Sequence, residues 1–174
     1  FSIDAPELWI SPTDHVVLTG ANGTGKSLVV RSVIESAPDT VKMAYIPQDV
    51  GPEERERALR YLRDQDQEMK GRILSIVARL NSDPDKLLDG CDLSPGELRK
   101  LMLAEQLVMD PNFLVLDEPT NHLDVGSIDA LQTMLVNFPG AILLVTHDRR
   151  LEDAVAQIRW PIEQDGNDFE LKPE

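Results

Sequence analysis

The stretch Gly20–Ser27, which reads GANGTGKS, decides the fold that we predict for this chain of 174 residues. An apolar, β-branched run precedes it at His15–Thr19, and a helical pattern follows it at Leu28–Glu35. Glycines in such a loop allow a tight turn and bring backbone N–H groups close to an anion, and the following helix adds its dipole. The stretch therefore predicts a phosphate-binding loop between a buried strand and a helix.

The residue types of this loop fit a nucleotide. We expect Lys26 to reach the β- and γ-phosphates and the Ser27 hydroxyl to bind Mg²⁺. A glycine-rich turn that matched by chance would not be expected to have both a strand before it and a helix after it. The predicted nucleotide contacts are Gly20, Ala21, Asn22, Gly23, Thr24, Gly25, Lys26, Ser27 and Leu28.

Short apolar runs alternate with helical patterns along the chain, which is typical of βαβ units. The other predicted strands are Lys42–Ile46, Phe113–Leu116 and Ala141–Thr146. Between Gln48 and Leu93 the pattern instead predicts helices at Glu53–Asp64 and Glu68–Leu80, and no strand. We therefore predict an α/β fold, a P-loop NTPase whose mostly parallel sheet is flanked by helices and carries a small helical subdomain.

The length fits one domain over residues 1–174. We place its core at 1–50 and 110–163 and the helical subdomain at about 51–109. Residues 164–174 are polar, and we expect a weakly ordered tail there. Because the chain begins at Phe1 without a methionine, we interpret it as a fragment or a trimmed chain.

Composition limits the partners that we expect. The chain has 17 basic and 31 acidic residues, a net charge of −14, and such a surface repels nucleic acid and anionic membranes. No apolar run approaches the roughly 20 residues of a membrane-spanning helix. The single cysteine, Cys91, excludes an internal disulfide and is interpreted as a small, partly buried apolar residue. We expect a cytoplasmic protein without direct nucleic-acid binding or membrane insertion.

A second element of the site is predicted where the run Phe113–Leu116 ends in Asp117 and Glu118. Ligands of α/β sheets bind at the carboxyl ends of the strands. Alone, two acids after an apolar run more often mark a strand end with solvated carboxylates. Next to a phosphate loop, they predict Asp117 as a ligand of Mg²⁺ and Glu118 as the group that polarises an attacking water.

His147 and Gln48 follow two other predicted strands. A histidine after a buried strand is more often a structural hydrogen-bond partner, and a lone glutamine proves nothing. Because parallel strands end at the same edge of a sheet, both side chains are nevertheless expected near the terminal phosphate.

The order of the motifs resembles that of an ATP-binding cassette (ABC) ATPase over roughly residues 3–158. After the phosphate loop come Ile46–Gln48 (IPQ), Leu93–Glu97 (LSPGE), Leu116–Pro119 (LDEP), Asn121–Asp124 (NHLD) and Thr146–Asp148 (THD). The sequence EPTNHLD at Glu118–Asp124 is most similar to the ABC-F branch, whose tandem cassettes often act on ribosomes.

This resemblance implies that the chain binds and hydrolyses ATP with Mg²⁺. The implied catalytic residues are Glu118, His147 and Gln48, and the implied ligands of Mg²⁺ are Ser27, Gln48 and Asp117. Leu123–Asp124 would form the D-loop. The resemblance also implies a second cassette, from the same or a different chain, whose ATP is contacted in trans by Ser94 and Gly96 in a head-to-tail sandwich.

The residues Ser94–Glu97 also have a purely structural interpretation. A serine N-cap, a proline at the first helical position and a glutamate two residues after it make a capping box, and the predicted helix runs to about Met109. Without the resemblance we would prefer that interpretation. With it, the same helix start points N–H groups and the Ser94 hydroxyl at a γ-phosphate held by the opposite cassette.

Three features depart from the family pattern. Pro95 replaces the first glycine of the usual signature motif and lacks an N–H. Leu28 stands where the family commonly has a threonine, near the α-phosphate. The adenine-stacking aromatic would lie upstream of Phe1. Phe1 and Trp9 are candidates by residue type only, and we favour a packing role for Trp9.

Three functions remain open on the sequence. The leading hypothesis is one cassette of an ABC-F-like protein linked to translation, which contacts the ribosome through regions outside this chain. The runner-up is the nucleotide-binding subunit of an ABC membrane transporter, in which Gln48 and the helical insertion would dock on a membrane partner. The third is a cassette that binds ATP as a structural clamp without hydrolysis, which Pro95 and Leu28 motivate.

Overall fold

A sheet of seven strands forms the centre of the computed structural model, which describes residues 3–88, 93–165 and 168–173. The strands are β1 (Ile3–Asp4), β2 (His15–Gly20), β3 (Met43–Ile46), β4 (Phe113–Asp117), β5 (Ala141–Val145), β6 (Ile158–Asp165) and β7 (Asp168–Leu171). Their order is β1-β7-β6-β2-β5-β4-β3, and each neighbouring pair is parallel except β6 and β7. Phe1 and Cys91 lie outside the described residues.

The helices connect these strands and cover both faces of the sheet. They are α1 (Lys26–Ser36), α2 (Pro52–Asp64), α3 (Gln67–Arg79), α4 (Pro84–Leu88), α5 (Pro95–Leu107), α6 (Val125–Val136) and α7 (Arg149–Val155). Helices α2 to α5 lie between β3 and β4, where the sequence predicted helices and no strand. The assignment of this stretch to a separate subdomain stays a prediction. No helix in the described ranges is both long and apolar enough to cross a membrane.

Strands β4 and β5 are buried along their whole length because apolar side chains pack on both faces of the sheet. Leu114 and Leu116 belong to the cluster on the side of α2, α3, α5 and α6, whereas Val115 belongs to the cluster on the side of α1. The register pairs Phe113 with Ala141 and continues to the ends of both strands. Their carboxyl ends therefore lie side by side.

The predicted fold class, α/β with a mostly parallel sheet flanked by helices, is confirmed. The prediction for the end of the chain was wrong, because Asp168–Leu171 forms β7 where we expected a weakly ordered tail. Phe169 and Leu171 alternate with acidic residues, and Leu171 is buried in the cluster on the side of α1. A short alternating segment of this kind can pair as a strand even in a polar context.

The packing role predicted for Trp9 was also wrong. Its side chain is 77% exposed and lines an apolar groove together with Phe113 and Trp160. Within the described residues, none packs against the Trp9 side chain closely enough to bury it. Trp9 does not line the cavity formed by the phosphate loop.

Candidate functional site

The phosphate loop connects the end of β2 to the start of α1. Gly23 and Gly25 have φ angles of 81° and 93°, in the left-handed region that favours glycine. Gly25 is the N-cap of α1 and makes no side-chain cap, and the first turn of α1 contains no acidic residue. The N–H groups at the start of α1 therefore lack a capping side chain, which suits an anionic ligand.

Lys26 folds back onto this loop. Its Nζ donates hydrogen bonds to the carbonyl oxygens of Gly20 (2.8 Å) and Ala21 (3.0 Å). The buried Thr24 hydroxyl donates to the same Ala21 oxygen (2.9 Å) and holds the turn closed. A phosphate would offer the ammonium a charged acceptor in place of these neutral ones, and charged hydrogen bonds are stronger.

Asp117 and Glu118 lie at the carboxyl end of β4, and both are buried. Burial, followed by the charge of Glu118, raises the pKa of Asp117, while the charges of Lys26 and Arg99 oppose this rise. Two adjacent buried carboxylates are stabilised by a cation. Ser27 lines the same cavity as Asp117. The site therefore presents carboxylate and hydroxyl oxygens, which are the ligand atoms that Mg²⁺ prefers.

Glu118 makes only part of its possible hydrogen bonds. Its φ angle is 48°, and its Oε2 accepts the His147 backbone N–H at 3.3 Å. Its Oε1 is buried and makes no hydrogen bond. The His147 ring Nε2 lies 3.4 Å from that oxygen but forms its hydrogen bond with Asn22 Oδ1, at 2.9 Å. One carboxylate oxygen of Glu118 is thus left to accept a hydrogen bond from a water or a ligand.

A cavity of about 560 Å³ joins these groups at the carboxyl edge of the sheet. It is lined by Asn22, Gly23, Gly25, Lys26, Ser27, Gln48, Asp117, Glu118, Asn121 and His147. Gln48 reaches it from the loop after β3, and its side chain is exposed. The structure therefore brings together the residues that the sequence placed near a terminal phosphate and its metal ion.

Four of the predicted nucleotide contacts do not line this cavity: Gly20, Ala21, Thr24 and Leu28. The first three support the loop through the backbone and hydroxyl contacts of Lys26 and Thr24 described above. Leu28 is 49% exposed and lines a different groove, together with Pro6 and Leu8.

Ser94 and Gly96 lie at the start of α5, in another cavity of about 250 Å³. Ser94 Oγ accepts the Glu97 N–H at 3.2 Å, and Ser94 N–H donates to Glu97 Oε2 at 2.9 Å, which completes the predicted capping box. These hydrogen bonds with Ser94 hold the pKa of Glu97 below its usual value. The structure does not bring Ser94 or Gly96 into the cavity of the phosphate loop.

Gly96 is packed directly against the loop that follows β4. A Cβ atom at this position would lie 2.4 Å from the carbonyl oxygen of His122, closer than any real Cβ contact. His122 itself has a φ angle of 65°. The absence of a side chain at Gly96 is therefore required for contact between α5 and the segment that resembles a D-loop.

Lys100 ties the same elements together by polar contacts. Its buried Nζ donates to the Asn81 carbonyl oxygen at 3.1 Å and lies 3.6 Å from Asp124 Oδ2. Asp124 is the N-cap of α6, and its hydrogen bonds with Ser127, rather than the charge of Lys100, chiefly lower its pKa to about 2. The end of α3, α5 and the start of α6 thus meet at one polar cluster.

Arg99 and Lys100 were not among the predicted site residues, although both are buried. Their signal was present as two adjacent cations between Leu98 and Leu101 in an otherwise apolar part of the helix. Lys and Arg are almost never fully buried without partners. Two adjacent cations in a helix that packs on several sides therefore indicated polar partners inside the protein.

Comparison with known proteins gives the family of the chain. The family model described as "ABC transporter" matches residues 35–121, which is half of the chain and begins after the phosphate loop. The erythromycin resistance ATP-binding protein MsrA of Staphylococcus epidermidis is 33% identical over 156 residues, covering 85% of this chain and 32% of MsrA. The energy-dependent translational throttle protein EttA of Mycobacterium tuberculosis is 50% identical over 74 residues, covering 42% of this chain and 13% of EttA.

Solved structures agree with this fold. The dimeric structure of a post-hydrolysis state of the ATP-binding cassette MJ0796, bound to ADP and Pi, has a TM-score of 0.74 at 18% identity. The match covers 96% of this chain and 87% of that one. The present chain spans less than a third of the length of MsrA or of EttA. With its family match and with ABC-F members among its relatives, this chain belongs to the ATP-binding cassette family and is an ABC ATPase domain.

Proposed function

We propose that this chain binds Mg-ATP at the phosphate loop and hydrolyses it when a second cassette completes the site. The observation that carries the proposal is the composition of one cavity. It joins an uncapped helix start, the Lys26 ammonium and two buried carboxylates, of which Glu118 keeps one oxygen without a hydrogen bond. Phosphate, a divalent cation and a water molecule are the ligands that such groups bind.

The roles follow from position in the cavity. The loop N–H groups and Lys26 hold the phosphates, and Ser27, Asp117 and Gln48 are the proposed ligands of Mg²⁺. Bound Mg²⁺ would neutralise part of the negative charge of the phosphates. Glu118 Oε1 accepts a hydrogen bond from the attacking water and orients it. His147 exchanges its present partner Asn22 for the γ-phosphate.

We propose a second cassette because of where Ser94 and Gly96 lie. Ser94 and Gly96 open into a cavity of their own, so they cannot serve the phosphates bound by the same chain in this arrangement. In a head-to-tail pair, the start of α5 would face the γ-phosphate on the partner. The description of MJ0796 as a dimer bound to ADP and Pi supports this proposal.

A role linked to translation is proposed from the relatives. EttA is named a translational throttle protein and MsrA an erythromycin resistance protein, and the sequence EPTNHLD of this chain resembles the ABC-F branch. The net charge of −14 disfavours contact between this surface and RNA. Sedimentation with ribosomes in Mg-ATP tests this role, using Glu118→Gln in a protein that includes the regions outside this chain. If that protein stays in the ribosome-free fractions, the proposed role is contradicted.

Steady-state hydrolysis tests the proposed activity itself. Glu118→Gln should lower the turnover number by about 10²- to 10⁴-fold while Mg-ATP binding persists, because the amide cannot polarise the water as a carboxylate does. Glu163→Gln, an exposed glutamate of β6, is the control and should keep full turnover. Turnover that survives in Glu118→Gln would contradict the role of Glu118, and a wild-type chain that binds ATP without hydrolysing it in a cassette pair would favour the structural clamp.

A further inference from the structure

Arg99 is one of the most buried charged residues of the described chain, with 2% of its surface exposed. It lies on α5, five residues after Ser94. Its guanidinium donates to three backbone carbonyl oxygens: Nη1 to Pro47 at 3.2 Å and to Glu118 at 3.4 Å, and Nη2 to Gln48 through a short hydrogen bond. One side chain of α5 therefore contacts the backbone of two segments that line the cavity of the phosphate loop.

These contacts are directed at the backbone and not at a carboxylate. Burial lowers the pKa of Arg99, and the charges of Asp49, Asp117 and Glu118 oppose this effect without forming a close ion pair. The buried Nε also makes no hydrogen bond. A buried cation with an unbonded donor is costly. These contacts therefore contribute little to the stability of the fold. They favour a role for Arg99 in positioning the backbone segments that it contacts.

The backbone at Gln48 and at Glu118, which Arg99 contacts, is fixed only weakly by its own local structure. Gln48 follows a proline at the end of β3 and has an exposed side chain, so its own packing fixes it little. Glu118 has a φ angle of 48°, which is unfavourable for a residue with a Cβ and persists only where surrounding contacts fix it. Hydrogen bonds from one planar guanidinium to both carbonyl groups fix the two segments relative to each other.

We propose that Arg99 is a positioning residue that sets Gln48 and Glu118 for the γ-phosphate and the attacking water, and that links them to the start of α5. The inference rests on the proposed function. Arg99 acts at the γ-phosphate end of the site only, because its contacts with the backbone involve neither the phosphate loop nor α1. It therefore distinguishes a nucleoside triphosphate from a diphosphate, whereas the loop binds both.

The test compares ADP with the non-hydrolysable analogue AMP-PNP by calorimetric titration in the presence of Mg²⁺. Arg99→Met should weaken AMP-PNP about tenfold and leave ADP within about twofold, and Arg99→Lys should recover part of the loss. In steady-state hydrolysis by Arg99→Met, kcat should fall by a larger factor than KM rises. Arg72→Met is the matched control, because Arg72 also donates from a guanidinium to a backbone oxygen of the α5 region, that of Val108, but away from the site.

A second measurement does not depend on nucleotide. In the free chain, amide hydrogen exchange at Gln48, Asp49 and Val50 should accelerate in Arg99→Met and stay unchanged in Arg72→Met. Equal weakening of ADP and AMP-PNP would show a general structural role and overturn the inference, as would unchanged affinities with unchanged exchange. A wild-type chain that binds neither nucleotide would instead refute the proposed function, and a folded Arg99→Lys variant keeps the exchange test valid if Arg99→Met unfolds.

Discussion

Two helices of this domain begin next to a glycine-bearing motif, and their N-termini are built differently. At α1 the N-cap is Gly25, no side chain caps the helix, and the first turn has no acid. At α5 the N-cap is Ser94, whose hydroxyl and N–H both bond with Glu97, and Pro95 occupies the first position. The first helix has no side-chain acceptor for its N-terminal N–H groups, whereas the second has one for the Glu97 N–H.

This difference shows that the N-terminus of a helix can either leave N–H groups available to an anion or be capped by side chains of the helix itself. A glycine N-cap in place of a capping side chain costs only about a few tenths of a kcal/mol of helix stability. The start of α1 accepts that cost, and its uncapped N–H groups adjoin the cavity that contains Lys26. The start of α5 is stable without a ligand and adjoins a cavity where Lys100 is already paired with Asp124. This contrast supports the proposal that α1 binds the phosphates of its own chain and that α5 contributes to the site of a second cassette.

The largest expected effect separates the two helix starts directly. Lys26→Ala should raise the dissociation constant for Mg-ATP about 10- to 100-fold, because a charged hydrogen bond contributes about 1.5–3 kcal/mol. Ser94→Ala should leave the affinity of the single chain unchanged. Calorimetric titration measures both, and Lys172→Ala, which removes a lysine paired with Glu163 and Glu170, is the control. A loss of affinity in Ser94→Ala equal to that in Lys26→Ala would remove the distinction.

The next effect concerns the glycine of α5. Gly96→Ala should lower the free energy of unfolding by about 1–3 kcal/mol, because the new methyl group meets the His122 carbonyl oxygen at 2.4 Å. Gly71→Ala is the matched control in the middle of α3, where a Cβ meets no atom within 4 Å. It should raise the free energy of unfolding by about 0.5–1 kcal/mol. Urea denaturation distinguishes these opposite signs, and a neutral Gly96→Ala would contradict the packing.

A similar effect lies further along α5, at the partly buried side chain of Glu105. Burial raises the pKa of Glu105 to about 8, and its Oε1 makes no hydrogen bond. Because the folded-state pKa exceeds the unfolded value of 4.5, the stabilising protonated form is complete below pH 4.5 and is lost as the pH rises through about 8.

Glu105→Gln removes this pH dependence. It should raise the free energy of unfolding by roughly 2 kcal/mol at pH 8 and change it little at pH 5. Thermal or urea unfolding at both pH values measures the effect. A gain of equal size at pH 5 would show that the charge of Glu105 is not the cause.

The smallest effect is the cap of α5 itself. Ser94→Ala should cost about 1 kcal/mol of unfolding free energy, because the Glu97 N–H loses its acceptor. The exposed Ser75→Ala on α3 is the control and should be close to neutral. Together with the binding result, this variant separates a structural cap from a role in nucleotide binding by the single chain.

Much of the fold and of the phosphate-loop cavity was predicted because its signals are local in sequence. The loop, the apolar run that ends in Asp117 and each of the ordered motifs occupy a few consecutive residues. The capping box at Ser94 was also predicted. A structural cap and a contact with a nucleotide of the partner cassette would involve the same residues.

The remainder depended on contacts between distant residues. Arg99 meets Pro47 and Gln48 across 52 and 51 positions of the chain, and no periodicity encodes a hydrogen bond to a backbone oxygen. A packing role was favoured for Trp9, but its exposure depends on which neighbouring elements cover it. The strand β7 was missed because its apolar residues are few and its pairing with β6 and β1 is tertiary.

The most direct test of the account is the mass in solution of Glu118→Gln, measured by light scattering with and without Mg-ATP. Blocked hydrolysis should trap a sandwich in which α1 of one chain and α5 of a second copy hold the same ATP. The mass should shift from one chain to two on addition of Mg-ATP. This shift should be absent with ADP and abolished by adding Lys26→Ala. A chain that binds Mg-ATP yet keeps the mass of a monomer at all concentrations would contradict completion of the site by a second copy.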